Sequence, residues 1–279
     1  MGVAVCWWSD DRGAGVSGKT NRRVGGKKMK EEWIYGYQPV LEALESGVVS
    51  EVCLSTGRRR GVEVLEKVTR REGVRLSRMR EQALSALCGE GNHQGIAART
   101  RGYAYIDFEE ELESLVSKKA GEWRETGALV LALDGIQDPM NLGAILRTAA
   151  GAGVDLVLLP ERKSAGVTAA AIKSSAGQAL KVKVARVTNL VRSLEVLKKV
   201  GFWVLGASAA GGNALWDRDV RGRLVVVMGS EGKGMRRLVE ESCDYLVTIP
   251  LTAGVESLNV SASTAMILYE VMRQERESV

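Results

Sequence analysis

The chain contains a single histidine, His93, in 279 residues. That scarcity argues against a histidine-built metal centre and against a Ser-His-Asp triad, since both need imidazoles at the site. Cysteine is also sparse. Cys6, Cys53, Cys88 and Cys243 lie far apart with no C-x-x-C spacing, so a disulfide frame and a zinc site are not expected. Their pattern is that of reduced cytosolic thiols, and no metal ligand set is expected. No apolar run is long enough to cross a bilayer, and the start lacks the three-part pattern of a signal peptide. A cytoplasmic protein with no membrane association is therefore expected.

The composition, 45% hydrophobic and 26% charged, is that of an ordinary soluble protein, and the length suits two modest domains or one large one. The net charge of +5 comes from one end. Residues 1–30 hold seven Lys or Arg and two Asp or Glu; taking these from the totals of 39 and 34 leaves 32 of each sign. Any nucleic-acid surface must then be local. Between Arg58 and Arg80 stand nine basic residues against Glu63, Glu66 and Glu72. Such a run serves either as a solvated helix face or as a phosphate-binding surface, with Arg58, Arg59, Arg60, Arg70 and Arg71 as the candidate RNA contacts.

The segment "GAGVSGKT", Gly13 to Thr20, fits the phosphate-loop pattern letter for letter. The motif works only between a buried strand and a helix whose N-terminal N–H groups face the phosphates. Here a short apolar run broken by Ser9, Asp10 and Asp11 precedes it, and "NRRVGGKKMK" follows. The expectation is a chance match inside a flexible, basic, disordered tail, residues 1–30. Met29 closes that tail, and both Met1 and Met29 stand as candidate starts.

Residues 31–104 read as a compact α/β unit. "PVLEALESG" and "GVEVLEKVTRREG" have helical spacing, the second ending at Gly73, while "SEVCLST", "VRLSRM" and the end of "NHQGIAART" read as strands. Residues 105–127 are acid-rich and predict a helical connector. From residue 128 to 279, apolar strand-like runs at "ALVLALDG", "VDLVLLP", "LKVKVARV", "GFWVLGAS", "RLVVVMGS" and "DYLVTIP" alternate with helical stretches. That alternation predicts a parallel sheet covered on both faces, with ligands at the carboxyl ends of its strands.

Three of the expected loops carry unusual residues. After the first strand, "DGIQDPMNLGAILRTA" places Asn141 at an expected N-cap, with Gly143 and Arg147 one turn apart on the helix that follows. A capping asparagine and a surface arginine would explain the same letters. "MGSEGKGMRRL" sets Gly229, Gly232 and Gly234 around Glu231, a pattern for close backbone approach to a ligand or simply for a tight turn. "PLTAGVESLNVSAST" gathers Ser257, Asn259, Ser261 and Ser263 where the last helix begins. Helix capping accounts for one or two of these.

Taken together, "NLGAILRTA", "MGSEGKGM" and "IPLTAGVESLNVSAST" resemble, in order, the three motifs of the SpoU/TrmH family of RNA 2′-O-ribose methyltransferases, part of the knotted SPOUT class. "IYGYQPVLEALESG" and "NHQGIAA" resemble the substrate-binding domain of its RlmB-type branch, which is similar to a ribosomal-protein fold and acts on a guanosine ribose in the peptidyl-transferase region of large-subunit (23S) rRNA. The resemblance implies an α/β fold with a C-terminal trefoil knot, a homodimer, and S-adenosyl-L-methionine bound by the knot loops. It implies site roles for Asn141, Arg147, Glu231, Ser257 and Asn259, with cofactor contacts at Gly229, Ile249 and Leu258, to which Ala207 at the end of the fourth strand is added. The family assigns proton removal to the arginine matching Arg147. Because arginine is normally fully protonated, the expected role here is to orient a phosphate and stabilise the developing alkoxide. Ser263 departs from the small apolar residue common at that place. A tRNA substrate, and a catalytically silent RNA-binding assembly factor, remain the competing readings.

Overall fold

The computed structural model describes residues 32–58, 61–89, 92–100, 102–117, 127–209, 211–252 and 257–276. The phosphate-loop-like segment, Met29, Arg59 and Arg60 lie outside these residues.

The N-terminal unit is a mixed four-stranded sheet of β1 (Glu32–Tyr35), β2 (Val49–Ser55), β3 (Arg75–Met79) and β4 (Ile96–Thr100), in the order β1-β4-β2-β3. Helices α1 (Tyr37–Glu45), α2 (Val62–Arg71) and α3 (Glu81–Cys88) cover it. In α2 the buried residues Val62, Leu65, Val68 and Thr69 recur at helical spacing, so one face enters the core while Lys67 and Arg70 face out. The helix stops where Gly73 takes φ +64°, a left-handed conformation that favours glycine. Strand β1 and helix α3 were not legible in the sequence, because each is too short to express a period.

The acid-rich connector forms α4 (Phe108–Ser117), whose Glu109, Glu110 and Glu111 occupy the first turn, where the helix dipole favours negative charge. The connector packs on the larger sheet. Ile106 bridges Ala185, and Phe108 and Leu115 are buried among that sheet's residues.

The second unit is a seven-stranded sheet of β5 (Leu129–Asp134), β6 (Leu156–Pro160), β7 (Val184–Val187), β8 (Trp203–Ala207), β9 (Asn213–Ala214), β10 (Leu224–Gly229) and β11 (Tyr245–Thr248). Every pairing in it is parallel, and the order is β7-β6-β5-β10-β8-β11-β9. Helices α5 (Pro139–Gly151), α6 (Ala169–Ser174) and α9 (Val260–Arg276) lie with one core, and α7 (Leu190–Lys199) and α8 (Arg237–Glu241) with the other. The alternation within β5 makes this division. Leu129, Leu131 and Leu133 enter the first core, and Val130 and Ala132 the second. Burying a leucine of this kind contributes about 1.5–3 kcal/mol.

Two helices are shorter than their apolar patterns suggest. Helix α6 ends at Ser174, since Ala176 and Gly177 both take positive φ before a single 3-10 turn at Gln178–Lys181. Helix α8 begins only at Arg237, because Gly234 through Arg236 are held in the preceding loop.

From β5 the chain steps outward to β6 and β7, then crosses to β8 and returns to place β10 beside β5. The loops after β5 and β10 therefore diverge at the point where strand order reverses, the usual place for a ligand crevice in an open parallel sheet.

Candidate active site

Asp138, not Asn141, caps α5. Its carboxylate accepts the backbone N–H groups of Met140 and Asn141 at 3.1 Å each, and Pro139 takes the first helical position, where no N–H is needed. The sequence reading of Asn141 as N-cap is thereby corrected. With the cap already supplied, the Asn141 side chain is left for other partners.

Those partners come from the other two loops. The Asn141 Nδ2 donates to Glu231 Oε1 at 3.2 Å, and its Oδ1 accepts from Asn259 Nδ2 at 3.0 Å. Asn259 Nδ2 also donates to Glu231 Oε1, and the Val260 N–H, first in α9, reaches the same oxygen at 3.3 Å. One carboxylate oxygen thus gathers both amides and the N-terminus of the last helix, where negative charge is favoured. Ser261 N donates to the Asn259 Oδ1 at 2.9 Å, fixing the amide's orientation.

Glu231 stands on a small closed turn. Ser230 N donates to Gly234 O at 3.0 Å and Gly234 N to Ser230 O at 2.9 Å. Gly229 lies directly beneath, and a Cβ there would come within 2.2 Å of the Gly234 carbonyl carbon. Glycine is required at 229 by this internal contact. The turn is tied to β5 as well. Asp134, whose side chain is fully buried, takes Arg236 Nε at 2.7 Å, Arg236 Nη2 at 2.6 Å and the Arg236 backbone N–H at 2.7 Å. The sequence reading missed this pair; the only signal was an acidic residue closing an otherwise apolar strand.

Beside the turn lies a cavity of about 790 Å³. Ala207 and Ser208 at the end of β8, Gly229 at the end of β10, Ile249 after β11, and Ser257, Leu258 and Asn259 before α9 all line it, as do Glu231 and Ser263. Of the nine residues singled out for catalysis and cofactor contact, the structure brings Asn141, Glu231, Ser257, Asn259, Ala207, Gly229, Ile249 and Leu258 to one place, Asn141 through its bonds to Glu231 and Asn259. Arg147 is the exception. It is exposed on α5, off the cavity wall and without a hydrogen bond or ion pair among the described residues. Six residues on, it faces a different side of the helix from Asn141 and lies ~9 Å along its axis.

The cavity's chemistry suits a nucleoside bearing an amino-acid arm. The walls at Ala207, Ile249 and Leu258 are apolar, and the volume falls within the range of about 300–1,000 Å³ usual for small-molecule sites. Among the described residues no group of three or more metal-ligating side chains occurs, and no helix is long and apolar enough to cross a membrane.

The arginine run disperses over the N-terminal unit. Arg58 is half-buried, donates to the Gln94 carbonyl and stands 5.5 Å from the Tyr37 ring centroid. Arg70 is exposed; Arg71 pairs with Glu72 at 2.8 Å, Arg78 with Glu66 at 3.1 Å and Arg75 with Glu51 at 3.9 Å. Exposed pairs of this kind contribute only ~0–1 kcal/mol, so they leave the guanidiniums free to exchange for phosphate. His93 sits in the same unit, its Nδ1 accepting the Gly95 N–H at 3.0 Å and its Nε2 3.0 Å from Ser85 Oγ.

A three-loop site at the reversal point of a parallel α/β sheet, with a small mixed-sheet unit before it in the chain, is an arrangement for binding a ligand at the carboxyl ends of the strands. The SpoU rRNA Methylase family matches residues 128–269, and the chain belongs to that family. Residues 33–106 match the domain described as RNA 2′-O ribose methyltransferase substrate binding. The chain is 43% identical over 248 residues to the 23S rRNA (guanosine-2′-O-)-methyltransferase RlmB of Xanthomonas campestris pv. campestris, covering 88% of this chain and 97% of that one. It is 41% identical over 250 residues to the RlmB of Xylella fastidiosa, with the same coverage of 88% and 97%. Among solved structures, the AviRb SpoU methyltransferase of Streptomyces viridochromogenes in complex with AdoMet has the same fold, with a TM-score of 0.72 at 22% identity over 89% of this chain and 92% of that one.

Proposed function

We propose that this protein transfers the methyl group of S-adenosyl-L-methionine to a guanosine 2′-hydroxyl in 23S rRNA, in the cytoplasm. The observation that carries the reading is the convergence of Asn141, Glu231 and Asn259 beside one cavity, together with relatives that bear this activity in their names over nearly their whole length.

The bound sulfonium supplies an already activated methyl group. This chain's part is to bind, align and manage a proton. Ala207, Gly229, Ile249 and Leu258 would hold the adenosyl portion by apolar contact and backbone hydrogen bonds. The Glu231-centred amides would orient the ribose, and Ser257 would complete the pocket rim. Alignment of this sort lowers the barrier of an in-line displacement by prepaying the entropy of bringing the reacting atoms together. Arg147 would hold the neighbouring phosphate and stabilise the developing alkoxide.

Residues 31–104, with Arg58, Arg59, Arg60, Arg70 and Arg71, are proposed as the unit that grips the RNA near the peptidyl-transferase region, and 105–127 as its connector to the methyltransferase domain at 128–279. We propose further that the enzyme works as a homodimer. Trp216, Leu251, Met266 and Tyr269 are apolar yet 61%, 37%, 45% and 68% exposed, and the hollow that Trp216, Met266 and Tyr269 line shares Ile249 and Pro250 with the cofactor cavity. A second copy there would also give the remote Arg147 of one protomer a route to its partner's cavity. The trefoil knot belongs to the same reading. It is supported by the match of residues 128–269 to the SpoU rRNA Methylase family.

The test is methyl transfer from labelled S-adenosylmethionine to a peptidyl-transferase-region transcript and to a tRNA, with wild type and Arg147→Ala side by side. 2′-O-methylguanosine on the rRNA fragment, lost in the variant, is the expected result. Product on tRNA alone would move the substrate, and cofactor binding without product on either would favour the assembly-factor reading.

A further inference from the structure

We infer that Asp134 and Arg236 are a positioning pair for this reaction: together they hold the Gly229–Met235 loop, and through Glu231 the two asparagines, in the shape the cavity requires. The inference rests on the methyltransferase reading of that cavity.

Asp134 closes β5, and its side chain is fully buried, while the Arg236 side chain is 54% exposed. Both carboxylate oxygens are engaged by one residue. Oδ1 takes the Nε and Nη2 of the guanidinium at 2.7 and 2.6 Å, and Oδ2 takes the backbone N–H at 2.7 Å. A buried carboxylate persists only where it is paired and hydrogen-bonded.

The loop this pair restrains is anchored at its C-terminal end by Met235, buried in the second core, while its tip around Glu231 stands above the sheet. It leaves β10 at Gly229, closes on itself between Ser230 and Gly234, and reaches Arg236 before α8 begins. Its ring is pinned to the sheet at Asp134. The same strand leads within four residues to Asp138, which caps the helix carrying Asn141. Asp134 therefore ties together the bases of two loops whose tips meet where Asn141 donates to Glu231 at 3.2 Å. If the pin is released, the Glu231 carboxylate can drift from both amides while the strands beneath stay in place.

The two members differ in what their loss leaves behind. Without Arg236, a buried carboxylate keeps only a backbone N–H. Without the charge on Asp134, Arg236 can turn toward water. Asp134→Asn is thus the clean probe, and Arg236→Lys, which keeps the charge but loses the planar fork, is the conservative control.

The experiment uses the full-length protein as wild type, D134N and R236K. It measures S-adenosylmethionine affinity by calorimetry, kcat and the two KM values, and hydrogen–deuterium exchange over residues 229–236. In D134N we expect faster exchange confined to that loop and S-adenosylmethionine affinity about tenfold weaker, equivalent to about 1.4 kcal/mol. The KM for RNA should be unchanged, and R236K should fall between D134N and wild type. Wild-type affinity and wild-type loop exchange in D134N would overturn the proposal. So would faster exchange spread evenly over both domains, which marks a loss of general stability. If the wild type binds no S-adenosylmethionine, the methyltransferase reading fails by itself; loop-confined exchange in D134N would still support the clamp, and its absence would end it.

Discussion

Asn259 Nδ2 donates to Asn141 Oδ1 at 3.0 Å, joining residues 118 positions apart in sequence. Both amides also donate to Glu231 Oε1, so the three side chains share one set of bonds. Residues that act as a unit lose most of their effect when any one is removed. Asn141→Ala and Asn259→Ala should each lower kcat by ~10²-fold, the scale on which misplacement of aligned groups acts. The double variant should be little worse than either single. Fully multiplicative losses in single-turnover assays would contradict the shared network.

Arg147 is exposed and has no partner among the described residues, so Arg147→Ala should leave the thermal midpoint within a degree or two, as surface changes generally cost less than ~0.5 kcal/mol. Its methyl transfer should nevertheless disappear. If a dimer supplies Arg147 across the interface, mixing inactive Arg147→Ala with the weakened Asn259→Ala should raise activity well above that of either variant alone, because one site of each mixed dimer is intact. No recovery after subunit exchange would place Arg147 with its own cavity.

At Gly143, α5 packs tightly against α6. A Cβ there would stand 1.8 Å from Ser174 Oγ and 2.4 Å from the Ala171 carbonyl oxygen. The hydroxyl can rotate away, but the backbone oxygen cannot. Gly143→Ala should destabilise the protein by ~1–3 kcal/mol, the usual cost of overpacking. Denaturant unfolding would read this as a lower midpoint with an unchanged slope.

Burial pushes the Cys243 thiol up to about 12, helped by the Asp244 and Glu240 carboxylates nearby. Burial also raises Cys53 and Cys88. A thiol raised on folding favours the folded state fully below its unfolded pKa of about 8.5, and that contribution is lost as pH climbs through the folded value. Stability should therefore decline on the alkaline side, above about pH 8.5. At pH 8 these three thiols should label slowly with iodoacetamide and rapidly after denaturation. Rapid native labelling of Cys243, located by peptide mass analysis, would contradict the burial argument.

Arg70 and Arg71 lie on the exposed side of α2, and the Arg71–Glu72 pair is a surface one. Replacing both with alanine should weaken RNA binding without changing S-adenosylmethionine affinity. If each contacts a phosphate of single-stranded RNA, the slope of log K against log salt should fall by about 1.4 in total. An unchanged slope would move the RNA contact elsewhere.

The amino-acid sequence by itself determined which segments alternate as strand and helix, because apolar periodicity reports a local choice of burial. It carried the three loops as well, since glycine, asparagine and glutamate stand out at strand ends. Other features needed the folded chain. Asn141 reads as a cap until Asp138, with Pro139 behind it, takes that role. Gly229 reads as a glycine for close ligand approach, and only the fold adds the Gly234 backbone pressed against it as a second reason for glycine. Asp134 looks like one more strand-end acid, since its partner lies 102 residues away and nothing local announces the bond. The tertiary structure decided these points because hydrogen bonds between distant loops depend on strand order. Only the return of β10 to the side of β5 brings Glu231 within reach of both asparagines.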